Sequence, residues 1–330
     1  LIPALHIKQV SKSFKGNKLP AVYNAALTVE PGKVLGLLGE SGCGKTTLLR
    51  MIAGFERPDS GTIEIAGETV VSSKVFIAPG KRQIGMIFQD FALFPHLNVM
   101  QNILFGVNQK SKSKQIKIAG EMMQLTNLEG FEKRYPRELS GGQQQRLALA
   151  RCLATSPKLI LLDEPFSNLD VTLRHQLRNQ VGKLLKSTGT AAVLVTHDID
   201  DAVALCDEIA VMRAGELLQI DSFDQLYLHP ANEYVARLTG PVTDLTEVLK
   251  ANFPEKYASA SSLLIRPQHL QIVQTAGKIS ANVLNSKFIG KGYEYLLKSD
   301  NFEFTFISPG QYESGVSINL DFNPHELLQF

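Results

Sequence analysis

Two stretches of this chain have the make-up of phosphate cradles, and only one of them carries a lysine. Gly39-Glu40-Ser41-Gly42-Cys43-Gly44-Lys45-Thr46, continued by Thr47, follows the spacing G-x-x-x-x-G-K-[ST] of the Walker A loop. Glycines so placed let backbone N–H groups wrap phosphate oxygens, a lysine at the position of Lys45 reaches the β and γ oxygens, and the Thr46 hydroxyl suits Mg²⁺. The second stretch, LSGGQQQR from Leu139 to Arg146, sets a serine and two glycines before a helical run. Free N–H groups and the helix dipole favour an anion there as well. One chain with two cradles raises the question of whose phosphate the second one holds.

The acidic partners stand at the end of LILLDE, Leu159 to Glu164. Asp163 suits Mg²⁺ held through water, and Glu164, one residue further out, suits a base that polarises an attacking water. Gln89 and His197 each follow another apolar run and fit as water-orienting and γ-phosphate-sensing groups, Gln89 also as a donor to Mg²⁺. Read singly, these residues are turn caps, a turn glutamine and a hydrogen-bonded histidine. Together with the Walker A loop they compose a site for phosphoryl transfer. Cys43 lies in the loop just before a helix, where a thiol is either activated or a small filler.

Such residues need a scaffold that brings them together. Four short runs rich in Val, Ile and Leu read as buried strands: VLGLL at 34–38, IGMIF at 84–88, LILL at 159–162 and AVLVT at 192–196. Each is followed by one of the polar groups above, which predicts a crevice at the carboxyl ends of a parallel sheet. Leu173, Leu177, Val181, Leu184 and Leu185 mark the core face of an amphipathic helix, with Arg174, Arg178, Lys183 and Lys186 off that face. The basic run at 110–117 reads as a solvated face. Beyond Gly240 the texture changes to short β-like runs at 262–267, 279–290, 293–299, 302–308 and 315–322, separated by Gly, Pro, Asn and Asp. A small antiparallel barrel is expected there.

With 330 residues, 44% of them hydrophobic, the chain is long enough for two domains. A net charge of +2 argues against wholesale nucleic-acid coating, and the tail strands lack the basic-aromatic interleaving of single-strand binders. Three cysteines in no metal-ligand spacing fit a reducing compartment. No apolar run approaches the roughly 18 residues a membrane span needs. Because the first residue is Leu1, the natural N-terminus is expected to lie upstream.

LSGGQ between a Walker A loop and a Walker B strand resembles the signature of the ATP-binding cassette family. Five motifs occur in that family's order: Walker A, Gln89, LSGGQ, LILLDEP and His197. The resemblance covers residues 4 to about 240. It implies an α/β P-loop NTPase fold with a RecA-like core, an antiparallel β subdomain and a helical signature subdomain at about 90–155. It also implies ATP as substrate, Mg²⁺ as cofactor, and a head-to-tail homodimer in which Ser140, Gly141, Gly142 and Gln143 hold the ATP seated on the partner's Lys45. Phe14 stands where the family stacks an aromatic on adenine. Asp170 in SNLD matches the loop that crosses the dimer interface, with Asn168 replacing the commoner alanine.

The segment from Gln89 to Leu97 looks like the one that lines a permease groove in importer cassettes. IRPQHL and NPHELLQF resemble the accessory TOBE domain, so residues 1–240 are expected to form the nucleotide-binding domain and 241–330 an OB-like TOBE barrel. The resemblance implies a peripheral ATPase on the cytoplasmic face of the bacterial inner membrane. Its partners would be permease subunits, with an extracytoplasmic binding protein acting indirectly. Ferric iron is the expected cargo, with polyamine, sulfate or sugar as alternatives; a soluble ATPase acting on DNA or ribosomes is the rival from another class.

Overall fold

The computed structural model describes residues 2–107, 111–167 and 171–330, the side chains of 171–173 excepted. It divides into two compact units, residues 1–223 and 224–330. The first contains, in order, β1 (Leu5–Lys12), β2 (Val22–Val29), β3 (Val34–Leu38), α1 (Lys45–Ala53), β4 (Ser60–Ile65), β5 (Glu68–Val71), β6 (Ile84–Ile87), α2 (Val99–Leu104), α3 (Lys112–Leu125), α4 (Gly141–Leu153), β7 (Leu159–Asp163), α5 (Val171–Thr188), β8 (Ala191–Thr196), α6 (Ile199–Leu205), β9 (Glu208–Arg213) and β10 (Glu216–Asp221).

The four expected strands sit side by side in a six-stranded sheet of order β10-β9-β3-β8-β7-β6. All its pairings are parallel except that of β9 with β10. Every residue of β3 and β8 is buried, as a parallel sheet covered on both faces requires. Alternate residues feed two separate cores. Leu35, Leu37, Leu159, Leu161, Val193 and Val195 pack toward α1 and the antiparallel sheet β2-β1-β4-β5. Ile160, Leu162, Ala192 and Leu194 pack with α4 and α5 through Ala148, Leu149, Leu177 and Val181. Helices α2, α3 and α4 share a third cluster around Val99, Ile103, Met123 and Leu147, the helical layer expected near 90–155.

One reading of α5 changes: Arg178, expected off the core face, is buried where it pairs with Asp201 of α6, while Leu173 lies outside the described side chains. The basic run at 110–117 falls partly outside the described residues; Lys112, Lys114 and Lys117 of α3 are exposed, as a solvated face would be.

The second unit contains α7 (Phe223–Leu228), which begins at the boundary, then α8 (Glu233–Thr239), β11 (Thr243–Asp244), α9 (Thr246–Asn252), α10 (Pro254–Tyr257), β12 (Leu263–Ile265), β13 (Leu270–Val273), β14 (Ile279–Phe288), β15 (Tyr293–Ser299), β16 (Phe302–Ser308), β17 (Ser317–Phe322) and β18 (Leu327–Gln329). Its strands form two antiparallel sheets, β13-β17-β14-β15-β16 and β11-β12-β18, around one core. Ile279, Ala281 and Val283 alternate inward along β14 and meet Tyr295, Leu297, Phe304, Phe306 and Leu320, with Leu263 and Ile265 from the smaller sheet.

The compact units part at Phe223/Asp224 rather than at Gly240. Arg266, 1% exposed, explains the earlier boundary. Its guanidinium donates to the carbonyls of Tyr227 (2.9 Å), Ala236 (2.9 Å) and Gly240 (3.0 Å) and stacks on the Tyr227 ring, so α7 and α8 are tied to the strands that follow. Among the described residues, no helix is long and apolar enough to cross a membrane.

Candidate active site

Sheet register does most of the assembly. Leu38 of β3 is paired with Thr196 of β8, Val195 of β8 with Asp163 of β7, and Leu162 of β7 with Ile87 of β6. The carboxyl ends of four neighbouring strands are therefore level, about 4.8 Å apart. The residues that follow are Gly39, His197, Glu164 and, two positions past β6, Gln89.

After β3 the loop turns back into α1. Gly44 caps the helix at φ 111°, a left-handed conformation that glycine adopts without penalty, and a Cβ there would collide with the Ala21 carbonyl. Lys45 is 4% exposed. Its ammonium donates to the carbonyls of Gly39 (2.7 Å) and Glu40 (2.8 Å) and approaches Cys43 Sγ at 3.7 Å. Cys43 is buried with its sulfur against Gly39, so the structure shows a small residue filling the inside of the loop. Ser41 and Gly42 are exposed on its outer side and Thr47 is half-buried in the first turn of α1.

Thr46 Oγ1 donates to Asp163 Oδ1 at 3.4 Å, joining the first turn of α1 to the end of β7. Burial, together with the charge of neighbouring Glu164, holds the Asp163 carboxyl above the usual carboxylate range, and the Thr46 hydrogen bond opposes this. A hydroxyl and a carboxylate so disposed are the hard oxygen donors Mg²⁺ prefers. Glu164 leaves the strand at φ 45°, a left-handed conformation uncommon outside glycine. Its amide donates to Val195 O at 3.0 Å, and its carbonyl accepts from the Ser167 hydroxyl at 3.0 Å. Its carboxylate lies 3.3 Å from His197 Nδ1.

Below His197 is a partly buried network that sequence reasoning missed. Thr196 Oγ1 accepts from the Asp198 amide at 3.0 Å and donates to Asp201 at 3.1 Å. Arg174 donates to Asp198 at 2.8 Å, and Arg178 pairs with Asp201. Desolvation pushes the Asp201 carboxyl up despite Arg178 beside it. The residues on either side of His197 are thus fastened to α5. Their available signal was the pair of arginines one helical turn apart.

Arg82 was missed as well. It is buried before β6 and donates to Met51 O (2.8 Å), Ile52 O (2.7 Å) and Ile77 O (2.7 Å), closing the carboxyl end of the helix that begins at Lys45. Burial without a carboxylate partner lowers its guanidinium to about 10. Cys152 and Cys206 are packing residues; burial raises the Cys152 thiol to about 12.

The second cradle belongs to the helical layer. Ser140 caps α4: its hydroxyl accepts from the Gln143 amide at 3.4 Å, while Gln143 Oε1 accepts from the Ser140 amide at 2.9 Å. This reciprocal capping box fixes the entry to the helix and leaves Ser140 and Gly141 exposed, with Gly142 buried. Phe14 is 39% exposed, with Lys12 Nζ 5.2 Å from its ring, and is no core residue. The loop that follows it lines, with Gly42 and Gly215, a shallow depression of about 460 Å³. Asn168 and Asp170 lie outside the described residues.

In the segment after Gln89, Phe91 and Ala92 both adopt left-handed conformations, and Arg151 of α4 donates to both carbonyls, at 3.0 and 2.7 Å. Phe94 stacks 4.2 Å from the exposed Phe105, while Phe91 is buried, so core and surface side chains alternate there.

Known proteins share this arrangement. The ABC transporter family profile matches residues 22–167. Across 98% of its length the chain is 35% identical to the spermidine/putrescine import ATP-binding protein PotA of Clostridium novyi, covering 96% of that protein. It is 41% identical over 286 residues to the Fe(3+) ions import ATP-binding protein FbpC of Pseudomonas fluorescens, covering 83% of this chain and 80% of that one. The dimeric post-hydrolysis structure of the ATP-binding cassette MJ0796, bound to ADP and Pi, superimposes with a TM-score of 0.58 at 30% identity, over 66% of this chain and 98% of that one. Level strand ends, a Walker A loop and an end-to-end relative lead to one statement: the chain belongs to the ABC transporter family and is one of its ATP-hydrolysing, ATP-binding subunits.

Proposed function

We propose that the protein is the ATPase of a bacterial importer, working as a homodimer at the cytoplasmic face of the membrane and driving permease subunits fed by an extracytoplasmic binding protein. The observation that carries the chemistry is the meeting of Lys45, Thr46, Asp163, Glu164 and His197 at one sheet edge. Phosphate would exchange the contacts of Lys45 with its own loop for contacts with the β and γ oxygens. Thr46, Asp163 and Gln89 would hold Mg²⁺, which supplies charge neutralisation on the phosphates when bound. Glu164 serves as the base that polarises water, and His197 and Gln89 orient the γ-phosphate and that water. The exposed Phe14 stacks on adenine.

The second cradle answers to the partner's nucleotide. Ser140 to Gln143 contact the γ-phosphate of ATP bound by the partner's Lys45, with Asp170 on the shared interface. A test mixes Lys45→Ala protein with Ser140→Ala protein, each inactive alone. Random pairing gives half mixed dimers with one intact centre each, so about a quarter of full turnover returns. Turnover no greater than the sum of the two separate variants refutes the shared site.

Ferric iron is the proposed cargo. A polyamine is the second reading, favoured by the end-to-end similarity to a spermidine/putrescine import protein. Reconstitution with the permease encoded beside the gene, followed by uptake of labelled Fe³⁺ and spermidine, separates the two.

A further inference from the structure

The His197 side chain is 55% exposed, so packing does little to hold the imidazole, and its place is set by the backbone that carries it. That backbone is closed around His197. Thr196 Oγ1 accepts from the Asp198 amide at 3.0 Å, a local turn with His197 at its middle. A hydroxyl has one hydrogen to give, and here Asp201 Oδ2 takes it at 3.1 Å, which leaves the lone pairs of Oγ1 for the Asp198 amide. Asp201 is itself fixed by Arg178, buried on α5, while Asp198 accepts from Arg174 at 2.8 Å and from the Asp200 amide at 2.9 Å. Thr196 is 2% exposed and ends β8 in register with Leu38 of β3.

We infer that Thr196 and Asp198 are positioning residues for ATP hydrolysis: the turn they close fixes the backbone of His197, so that the imidazole meets the γ-phosphate and keeps its place beside Glu164. The inference rests on the role proposed above for His197. Thr196 is buried, so it acts through His197 and does not touch the nucleotide. A displacement of about 1 Å at a reacting group can cost on the order of 10²-fold in rate. Opening the turn loosens the imidazole without removing it, which sets the expected loss near tenfold. ATP binding before reaction draws on the Walker A loop and Phe14, so the loss falls on kcat and leaves KM in place.

The experiment measures steady-state ATP hydrolysis by the full chain in Thr196→Val, which keeps the shape and loses the hydroxyl, in Thr196→Ser, in His197→Ala and in the double variant Thr196→Val/His197→Ala. Thr196→Val should lower kcat by about tenfold with KM for ATP within about twofold, and Thr196→Ser should recover to within about threefold of the original rate. His197→Ala should lose on the order of 10²-fold, and the double variant should be no slower, because Thr196 acts through a side chain already gone. Should Thr196→Val fail to fold, Asp198→Ala, at the partly exposed end of the turn, enters the same cycle, with Asp198→Asn as the conservative variant and the same outcomes expected. An unchanged kcat in Thr196→Val beside a slow His197→Ala overturns the inference and leaves the role of His197 standing, whereas His197→Ala at the original rate overturns both. Losses that multiply in the double variant, a raised KM in place of a lowered kcat, or no recovery in Thr196→Ser also overturn it, since each marks a general loosening of the fold.

Discussion

His197 Nδ1 stands 3.3 Å from Glu164 Oε2, and the two residues extend neighbouring strands, β8 and β7, that are paired residue by residue up to their ends. Register brings Glu164 level with Thr196, one residue short of His197. Left-handed backbone at Glu164 then turns its carboxylate off the line of the strand and toward the imidazole.

Glu164→Gln keeps the shape of that contact and removes the base. ATP hydrolysis should fall by about 10²–10⁴, the usual worth of a general base, while ATP binding persists and dimers accumulate. Steady-state turnover together with size-exclusion chromatography in MgATP checks both halves, and a variant that hydrolyses at the original rate rules Glu164 out as the base.

Arg82 holds the Met51 and Ile52 carbonyls at the far end of the α1 helix and the Ile77 carbonyl ahead of β6. Arg82→Met should lower unfolding stability by about 2–4 kcal/mol through acceptors left unsatisfied, and Arg82→Lys should recover little, since one ammonium lacks the fork that reaches all three. Urea unfolding measures this; wild-type stability in Arg82→Met would mean that the carbonyls find other donors.

Gln145 of α4 is 1% exposed, and neither end of its amide has a hydrogen-bond partner among the described residues. Gln145→Met, similar in shape and without the amide, should stabilise the chain by about 1–3 kcal/mol. Differential scanning calorimetry should show a higher unfolding midpoint, and a lower one would mean that the amide is satisfied in solution.

Asp244 is desolvated, which raises its carboxyl, but hydrogen bonds from Thr246 and Arg237 outweigh this and leave it below the usual range. A depressed folded pKa stabilises the fold above the unfolded value of about 3.9, and this contribution is lost as pH falls through the folded value. Asp244→Asn should therefore lower the melting midpoint at about pH 7 and make little difference near pH 3, by a modest amount because the side chain is partly exposed. An equal gap at both pH values would show that charge is not the cause.

Much of this was legible because the chemistry is local in sequence. VLGLL followed by a glycine-rich loop and a lysine already specifies strand, cradle and helix, and LILLDE does the same for the acids. Arg82 was illegible for the opposite reason: its acceptors Met51 and Ile52 lie some thirty residues away, and an arginine before an apolar run reads as solvated. Arg178 was misplaced because helical spacing separates faces but does not reveal a buried Asp201 waiting on another helix. In the second unit the longer strands were visible from their alternation, whereas β13 and β18 each emerge directly from a proline-started turn, which masks the short apolar run behind it.

The enclosure around Arg266 bears on how the gene is divided for study. A fragment begun at Pro241 would discard Tyr227, Ala236 and Gly240, stripping the buried guanidinium of three carbonyls and of the ring beneath it. A C-terminal piece begun near Asp224 would keep all of these partners, with its two lead-in helices retained.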